Sequence, residues 1–230
     1  MKVRKVAVFF SMTVGFISQA QAGIYEKLSP QEQAQLNRGE QVLKSEDVGG
    51  PLPKFTVYQK IEATAFESAA VFTDFDRHKE FFPQITASHV VESLPGGVMT
   101  AQYDLTMVGQ TDHTRVKEVV SKVGDSYQVE WKLLSSGYAE RSDGSAVFEP
   151  MGNKGEATLL VYTSQLVPKS SLPFFIFGLF KGMVGSELQG TVNHLVNRVK
   201  TLKAEFSANT NPGNPTLLTV EKYKLGKILQ

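Results

Sequence analysis

The sequence predicts an α+β domain, and three observations carry that prediction. An alternating apolar segment leads directly into a helix-prone stretch. Six further alternating segments then follow one another, with Gly, Asp or Asn at most of the joints. The chain closes with a long segment whose apolar residues recur at helical spacing. A strand, helices, an antiparallel meander and a long helix make the α+β pattern, in which helices pack on one face of a sheet.

Ahead of this pattern stand Lys2, Arg4 and Lys5, then an apolar run from Val6 to Ile17, then Ala20-Gln21-Ala22. A basic segment, a short apolar segment and small residues at a cleavage point read as a secretory signal peptide over residues 1–22. The apolar run is shorter than the roughly 20 residues needed to cross a bilayer, so cleavage rather than anchoring is expected, with Gly23 as the first mature residue. The chain contains no Cys. It therefore lacks disulfides, thiolate metal sites and a lipid attachment point at the mature N-terminus. A cysteine-free exported domain fits a bacterial envelope better than an animal extracellular space, so the expected location is the periplasm. Losing Lys2, Arg4 and Lys5 takes the formal net charge from +1 to −2. A near-neutral chain without a Lys/Arg cluster lacks the basic footprint that nucleic acid requires.

Ser29-Pro30-Gln31-Glu32 is a helix start: a hydroxyl at the N-cap, Pro at the first position and Glu at the third satisfy or avoid the orphan amides. The helix should reach Asn37, with Gly39 past its end. Gly49-Gly50-Pro51-Leu52-Pro53 then breaks the chain. Residues 23–53 are accordingly expected to form a helical extension ahead of a main domain over 54–206. Residues 55–61 alternate as a strand, and 65–82 read as helical with a break near Thr73-Asp74. Strands are expected at 85–94, 98–108, 111–123, 126–134, 138–149 and 156–167, and a closing helix at 173–206. The tail, 207–230, carries Leu217, Leu218, Val220, Tyr223, Leu225, Ile228 and Leu229 among lysines. Docking on the domain or disorder is favoured for it over contact with a membrane surface.

Two hairpin turns allow the register to be argued. Gly109-Gln110 as a two-residue turn pairs Met107 with Asp112, Leu105 with Thr114, Tyr103 with Val116 and Ala101 with Glu118. Gly124-Asp125 pairs Glu118 with Trp131, Val120 with Val129 and Val116 with Leu133. Both turns put Met99, Ala101, Tyr103, Leu105, Met107, Val116, Val120, Val129, Trp131 and Leu133 on one face. Gln102, Asp104, His113, Arg115, Lys117, Glu130 and Lys132 fall on the other, as a solvated face requires. Asp112, Thr114 and Glu118 share the apolar face, so each must sit at a rim, be paired or line a wet cavity. A three-residue turn at Ser135-Ser136-Gly137 brings Arg141 toward Glu118; a two-residue turn puts Tyr138 and Glu140 on the inner face instead.

The closing helix carries an apolar row, Val184, Leu188, Val192, Leu195, Val199 and Leu202, that should cover the inner face of the sheet. Its start, Pro173-Phe174-Phe175-Ile176-Phe177-Gly178-Leu179-Phe180, is the most apolar stretch of the mature chain. Gly178, Gly182, Gly185 and Gly190 each weaken the helix by about 1 kcal/mol relative to Ala. Close packing on the sheet, or room for a ligand between helix and sheet, gives those glycines a reason.

Several strings together resemble a known group. The residues "AFESAAVFTDFDRHKEFFPQITASHVV", the Phe82-Pro83 corner, "RSDGSAVFEPMGNKGEATLLVYTSQLVP" and the amphipathic terminal helix are similar to the START-like (SRPBCC) superfamily, and within it to the polyketide cyclase/dehydrase and coenzyme Q-binding group. The resemblance covers residues 54–206. It implies a helix-grip fold: a curved antiparallel sheet wrapped around the long C-terminal helix, enclosing a cavity for lipids, sterols, quinones or polyketides. The group has no single catalytic signature, so no catalytic residue is carried over.

The common signatures of catalytic chemistry are missing from the sequence. His78, His89, His113 and His194 lack a second His or Cys at metal-ligand spacing. There is no glycine-rich phosphate loop and no G-x-S-x-G elbow. No cofactor is expected. His113 reads as a solvated residue of the outer face. The leading expectation is a non-enzymatic, monomeric carrier of a hydrophobic small molecule. Tyr103, Leu105, Thr114, Glu118, Trp131, Tyr138 and Arg141 of the sheet, with Phe177 and Met183 of the closing helix, are the expected ligand contacts, and membrane contact is at most transient. Two alternatives are a cyclase- or dehydratase-like enzyme using Glu118 with Tyr103 or Arg141, and an interaction module with a filled core.

Overall fold

In the computed structural model the described residues are 23–107, 110–170, 174–209 and 215–230, with 107, 110 and 174–183 described as backbone only. The expected signal peptide, 1–22, lies outside them. Helix α1 (Pro30–Asn37) starts at the expected Ser29 N-cap. The Ser29 hydroxyl accepts from the Glu32 amide while the Glu32 carboxylate accepts from the Ser29 amide at 2.8 Å. Strands β1 (Val42–Glu46) and β2 (Lys54–Ile61) follow. Helix α2 (Ala65–Thr73) opens with a second capping box, Thr64 with Glu67, and gives way at Asp74 to a 3-10 turn over Phe75–Glu80. The meander is β3 (Ile85–Leu94), β4 (Val98–Met107), β5 (Gln110–Val123), β6 (Ser126–Ser135), β7 (Ala139–Met151) and β8 (Ala157–Pro168). Helix α3 (Phe174–Ala208) closes the domain, and α4 (Leu217–Ile228) follows it.

All eight strands form one antiparallel sheet in the order β1-β2-β8-β7-β6-β5-β4-β3. After the first hairpin the chain crosses to the far edge and returns strand by strand until β8 lies beside β2. Helix α2, buried along nearly its whole length, makes the crossing over the concave face. The expected closing row is also there. Val192, Leu195, Val199 and Leu202 of α3 are fully buried, while Val184 and Leu188 nearer the start of the helix are only half-buried. Burial of four such side chains at about 1.5 to 3 kcal/mol each is ample to hold the second half of α3 in place.

The register expectations fared differently at the two hairpins. The β5–β6 pairing is the one expected, with Glu118 opposite Trp131 and Val120 opposite Val129, around a turn in which Gly124 has φ +61°. The β4–β5 pairing is displaced by two residues. Met107 lies opposite Gln110, so Leu105 meets Asp112, Tyr103 meets Thr114 and Met99 meets Glu118. Gln110 belongs to β5 and not to the turn as expected, and residues 108 and 109 lie outside the described residues. A slip of two leaves every side chain on its face. Asp112, Thr114 and Glu118 are therefore inside, as the parity required, and all three are buried.

The segment 23–53 is more than a helical extension, because β1 pairs with β2 as an edge strand of the sheet. Leu28, Leu36 and Val42 also form a second apolar cluster with Met151, Ala157, Leu159 and Val161 on the convex face. The break at 49–53 is a hairpin loop and not a boundary of the sheet. Of the readings open for the tail, docking is the one seen: Leu218 and Leu225 of α4 are fully buried against the α2–α3 side of the core.

Candidate functional site

The concave face is organised in rows that cross the strands. One row runs Met99, Glu118, Trp131, Gly144, Ser164. Aromatic rings from four elements converge on it: Trp131 lies 5.0 Å from Tyr162 and 6.5 Å from Phe72, and Phe72 lies 5.7 Å from Phe148. Offset and tilted rings at such separations attract beyond their burial.

Within this apolar wall lies a short polar relay. The Tyr103 hydroxyl donates to Glu118 Oε1 at 3.3 Å, and the Glu118 Oε2 atom has no partner among the described residues. The Tyr103 ring stacks on His78 at 5.6 Å and an interplanar angle of 8°. The His78 Nε2–H in turn donates to the Phe72 carbonyl at 2.7 Å. Burial pushes the Glu118 carboxyl up to about 8, only partly opposed by the Tyr103 hydrogen bond. Burial likewise raises Tyr103 well above a phenol's usual value and lowers His78 to about 4. All three groups are neutral at pH 7. Glu118 is then a carboxylic acid whose second oxygen is free to donate or accept.

A recess of about 140 Å³ opens on the same face, lined among others by Leu105, Thr114, Leu133, Tyr138, Leu166 and Pro168. It lies at the end of the sheet where β8 finishes. Leu133 is two residues from Trp131 on β6, so the recess adjoins the row that carries Glu118. One wall is fixed by Asp112. Its carboxylate accepts from Thr114 Oγ1 at 3.0 Å, from the Gly137 amide at 2.6 Å and from the Ser136 hydroxyl. Burial raises this carboxyl, but those hydrogen bonds, with one from the Tyr138 backbone, outweigh it and hold Asp112 below the usual carboxylate range. The β6–β7 turn is thus tied to the sheet floor, and Lys169 Nζ closes it from the β8 side by donating to the Ser136 carbonyl at 2.7 Å.

The expected ligand contacts are sorted by this geometry. Leu105, Thr114 and Tyr138 line the recess. Tyr103, Glu118 and Trp131 stand together in the packed wall beyond it. Arg141 does not meet Glu118. It lies on the outward face with Lys132 and Asp143 and pairs with Asp143 at 3.3 Å, because an irregularity between Ala139 and Arg141 rotates the strand after the turn. Phe177 and Met183 lie on α3, but their side chains are outside the described residues. The same holds around Gly178 and Gly182. A Cβ on Gly185 would make ordinary contact with Leu43 and Phe55, whereas one on Gly190 would meet nothing. Of these two described glycines, Gly185 is therefore the one that packs against neighbouring side chains. Sequence reasoning did not single out Asp112 as a turn anchor, nor His78 and Tyr162 as neighbours of the relay. The inner-face parity of Asp112 was the available signal. His113 is exposed and bonds Asp104 Oδ1 at 2.7 Å, which raises its imidazole above the ordinary value.

No family profile and no curated protein matches the sequence. Solved structures do. A STAR-related lipid transfer protein from Xanthomonas axonopodis aligns at a TM-score of 0.61 and 17% identity, covering 70% of this chain and 93% of that one. The chain has the START-like helix-grip fold. Human StAR-related lipid transfer protein 5 shares the START-like fold at a TM-score of 0.58 and 10% identity, covering 71% of this chain and 83% of its own. So does the ZhuI aromatase/cyclase from Streptomyces sp. R1128, at 0.56 and 13%, covering 64% and 93%. START-like architecture accounts for the curved antiparallel sheet with its C-terminal helix. No described helix is long and apolar enough to cross a membrane.

Proposed function

We propose that this protein is an exported carrier that holds a hydrophobic small molecule between the concave face and α3, in the bacterial periplasm. The observation that carries the reading is the recess itself. It is walled by Leu105, Leu133, Leu166 and Pro168 on the face that the half-buried Val184 and Leu188 of α3 were expected to cover. A ligand site usually occupies roughly 300 Å³ or more, so the guest extends from the recess along α3 and does not fit wholly inside it. The lipid transfer names of two structural neighbours agree with this reading. The signal-peptide pattern of residues 1–22 supplies the location.

A second reading, an enzyme acting on the same guest, is favoured by one observation: Glu118 is a buried neutral acid hydrogen-bonded to Tyr103, a suitable proton donor to a ligand carbonyl. The cyclase among the neighbours agrees with it.

Native mass spectrometry of the protein recovered from its own envelope, with organic extraction of what co-purifies, tests the carrier reading. A stoichiometric apolar ligand that is lost on Leu133→Trp, which fills the recess, is the expected result. A protein that is empty and takes up no apolar fluorescent probe overturns it in favour of a filled interaction module. Conversion of the extracted ligand by the wild type but not by Glu118→Gln, with binding retained, decides for the enzyme.

A further inference from the structure

The first described residues are gripped by a side chain far away in sequence. The Ile24 amide donates to both oxygens of Glu149, at 2.8 and 2.9 Å, and the Tyr25 amide reaches Glu149 Oε1 at 3.3 Å. Glu149 sits on β7 between Phe148 and Pro150 and faces the convex side, where Ile24 and Tyr25 pack on the second apolar cluster. Helix α1 secures the same turn from above. The Gln33 side-chain amide donates to the carbonyls of Tyr25 and Leu28, at 3.1 and 3.0 Å, and Asn37 donates to the Tyr25 hydroxyl at 2.9 Å. The backbone at 24–28 is therefore held on three sides.

Gly23 lies at the mouth of this grip. A Cβ built on it would stand 2.8 Å from Glu149 Oε1 and 2.7 Å from Glu26 Oε2. Those separations are shorter than a carbon atom tolerates, so a residue with a side chain at 23 would displace the carboxylates. Backbone geometry puts the Gly23 nitrogen about 2.5 Å from that Cβ position, and so within about 5 Å of both carboxylates. Neither Glu149 nor Glu26 forms an ion pair among the described residues.

We propose that Glu149, with Glu26 beside it, is the seat of the mature N-terminus, an α-ammonium site that is filled only after the leader is removed. The proposal rests on the export reading. A signal peptidase adds water across the Ala22–Gly23 peptide bond: the carboxylate leaves on Ala22, and Gly23 keeps the nitrogen, which takes up a proton at neutral pH. A neutral amide in the precursor thus becomes a cation inside a two-carboxylate seat that already holds the next two amides. Opposite charges at such distances favour the charged form and strengthen the hydrogen bonds around them. Processing then locks the strap of residues 24–28 onto the convex face, and glycine is the residue at 23 that leaves the seat open.

The test uses the full-length chain expressed with its leader in a bacterial host. The intact mass of the exported product identifies its first residue. The Gly23 amine is then acylated with a limiting succinimidyl ester between pH 6 and 10, and labelling is read by mass spectrometry with the exposed lysines as internal reference. An amine seated on Glu149 should label about 10-fold more slowly at pH 7 than in Glu149→Gln, because a rise of one pKa unit lowers the free-base fraction tenfold. Its labelling profile should also move to higher pH. Exposed Glu26→Gln, which leaves the amide grip intact, should give an intermediate rate and keeps the test readable if Glu149→Gln folds poorly. Equal rates in all three proteins overturn the seat while leaving export standing. A product that begins at any residue other than Gly23 overturns the premise, and with it the proposal.

Discussion

The ring of Trp131 occupies the space where a side chain on Gly144 would stand: a Cβ there would fall among the indole atoms and against the Thr163 carbonyl. The two residues face each other across β6 and β7, so the absence of a side chain on one is what lets the other lie in the wall between Phe72 and Tyr162. Gly144→Ala should push the indole off this seat and cost about 1 to 3 kcal/mol, as overpacking of a filled core does. Trp131 is the sole tryptophan in the sequence. A shifted emission maximum in the native state, together with a lower urea midpoint, is the expected outcome; an unchanged spectrum would show that the ring does not depend on Gly144.

Glu118 should make stability depend on pH in a defined sense. Its folded value is raised to about 8 from an ordinary 4.5, so between those values the folded protein holds a proton that the unfolded chain has released. Stability is fully present below about pH 4.5 and declines as pH rises toward 8. Urea unfolding of Glu118→Gln between pH 5 and 8 should give a flatter profile than the wild type. A Glu118→Gln profile parallel to that of the wild type over this window would contradict a neutral buried acid, because His78 titrates equally in both proteins.

His78 acts in the opposite direction. Burial holds its folded value at about 4 against an ordinary 6.5. The unfolded chain therefore takes up a proton first as pH falls, and the contribution of His78 to stability drops from about pH 6.5 downward until about pH 4. His78→Phe keeps the aromatic stacking on Tyr103 but removes the titration, and should steepen the decline in stability between about pH 4.5 and 6.5 that Glu118 and Glu221 impose. A variant profile parallel to the wild type over that window would remove His78 from the account.

Asp112 ties down the β6–β7 turn. Asp112→Ala removes the acceptor for the Thr114 and Ser136 hydroxyls and the Gly137 amide, and should cost about 1 to 3 kcal/mol for the donors left unpaired. Amide hydrogen exchange should quicken at residues 136–139, the rim of the recess, well before the centre of β6. Uniform quickening over the whole sheet would mean a global loss of stability instead.

Helix α4 should behave as a strap with its own pH response. Its inner face buries Leu218, Glu221 and Leu225, and Lys224 pairs with Asp74 at 2.8 Å. Leu225→Ala should cost about 2 to 5 kcal/mol. Burial, with Asp74 nearby, raises Glu221 to about 7 against the opposing pull of Arg198, Arg77 and Lys224. Docking should accordingly be firmest below about pH 4.5 and weaken up to about pH 7. Limited proteolysis between α3 and α4 at pH 5.5 and 8 reads this out, with faster release of the tail at the higher pH. Equal rates would remove Glu221 from the account.

Much of this architecture could be read from local pattern. The Ser29 cap, the break at Asp74 and the six meander strands follow from hydrogen-bonding chemistry and side-chain period, which neighbours in sequence satisfy among themselves. β1 escaped notice because Val42-Leu43-Lys44-Ser45-Glu46 is short and largely polar. As an edge strand it needs only one partner and one buried residue. The β4–β5 register was off by two because alternation constrains parity and not position along the strand.

The sequence by itself determined the order of the elements from β2 to α3, the face on which the residues of β4, β5 and β6 fall, and the burial of the Val192-to-Leu202 row, because these depend on spacings within a single segment. Tertiary structure alone decided which distant groups meet: Tyr103 with Glu118, Glu149 with the amides of Ile24 and Tyr25, Lys224 with Asp74, and Arg141 turned away from the site. Such meetings depend on irregularities of one residue and on how far a strand slides past its neighbour. Those adjustments are set by the summed packing of the whole core, which no local window contains.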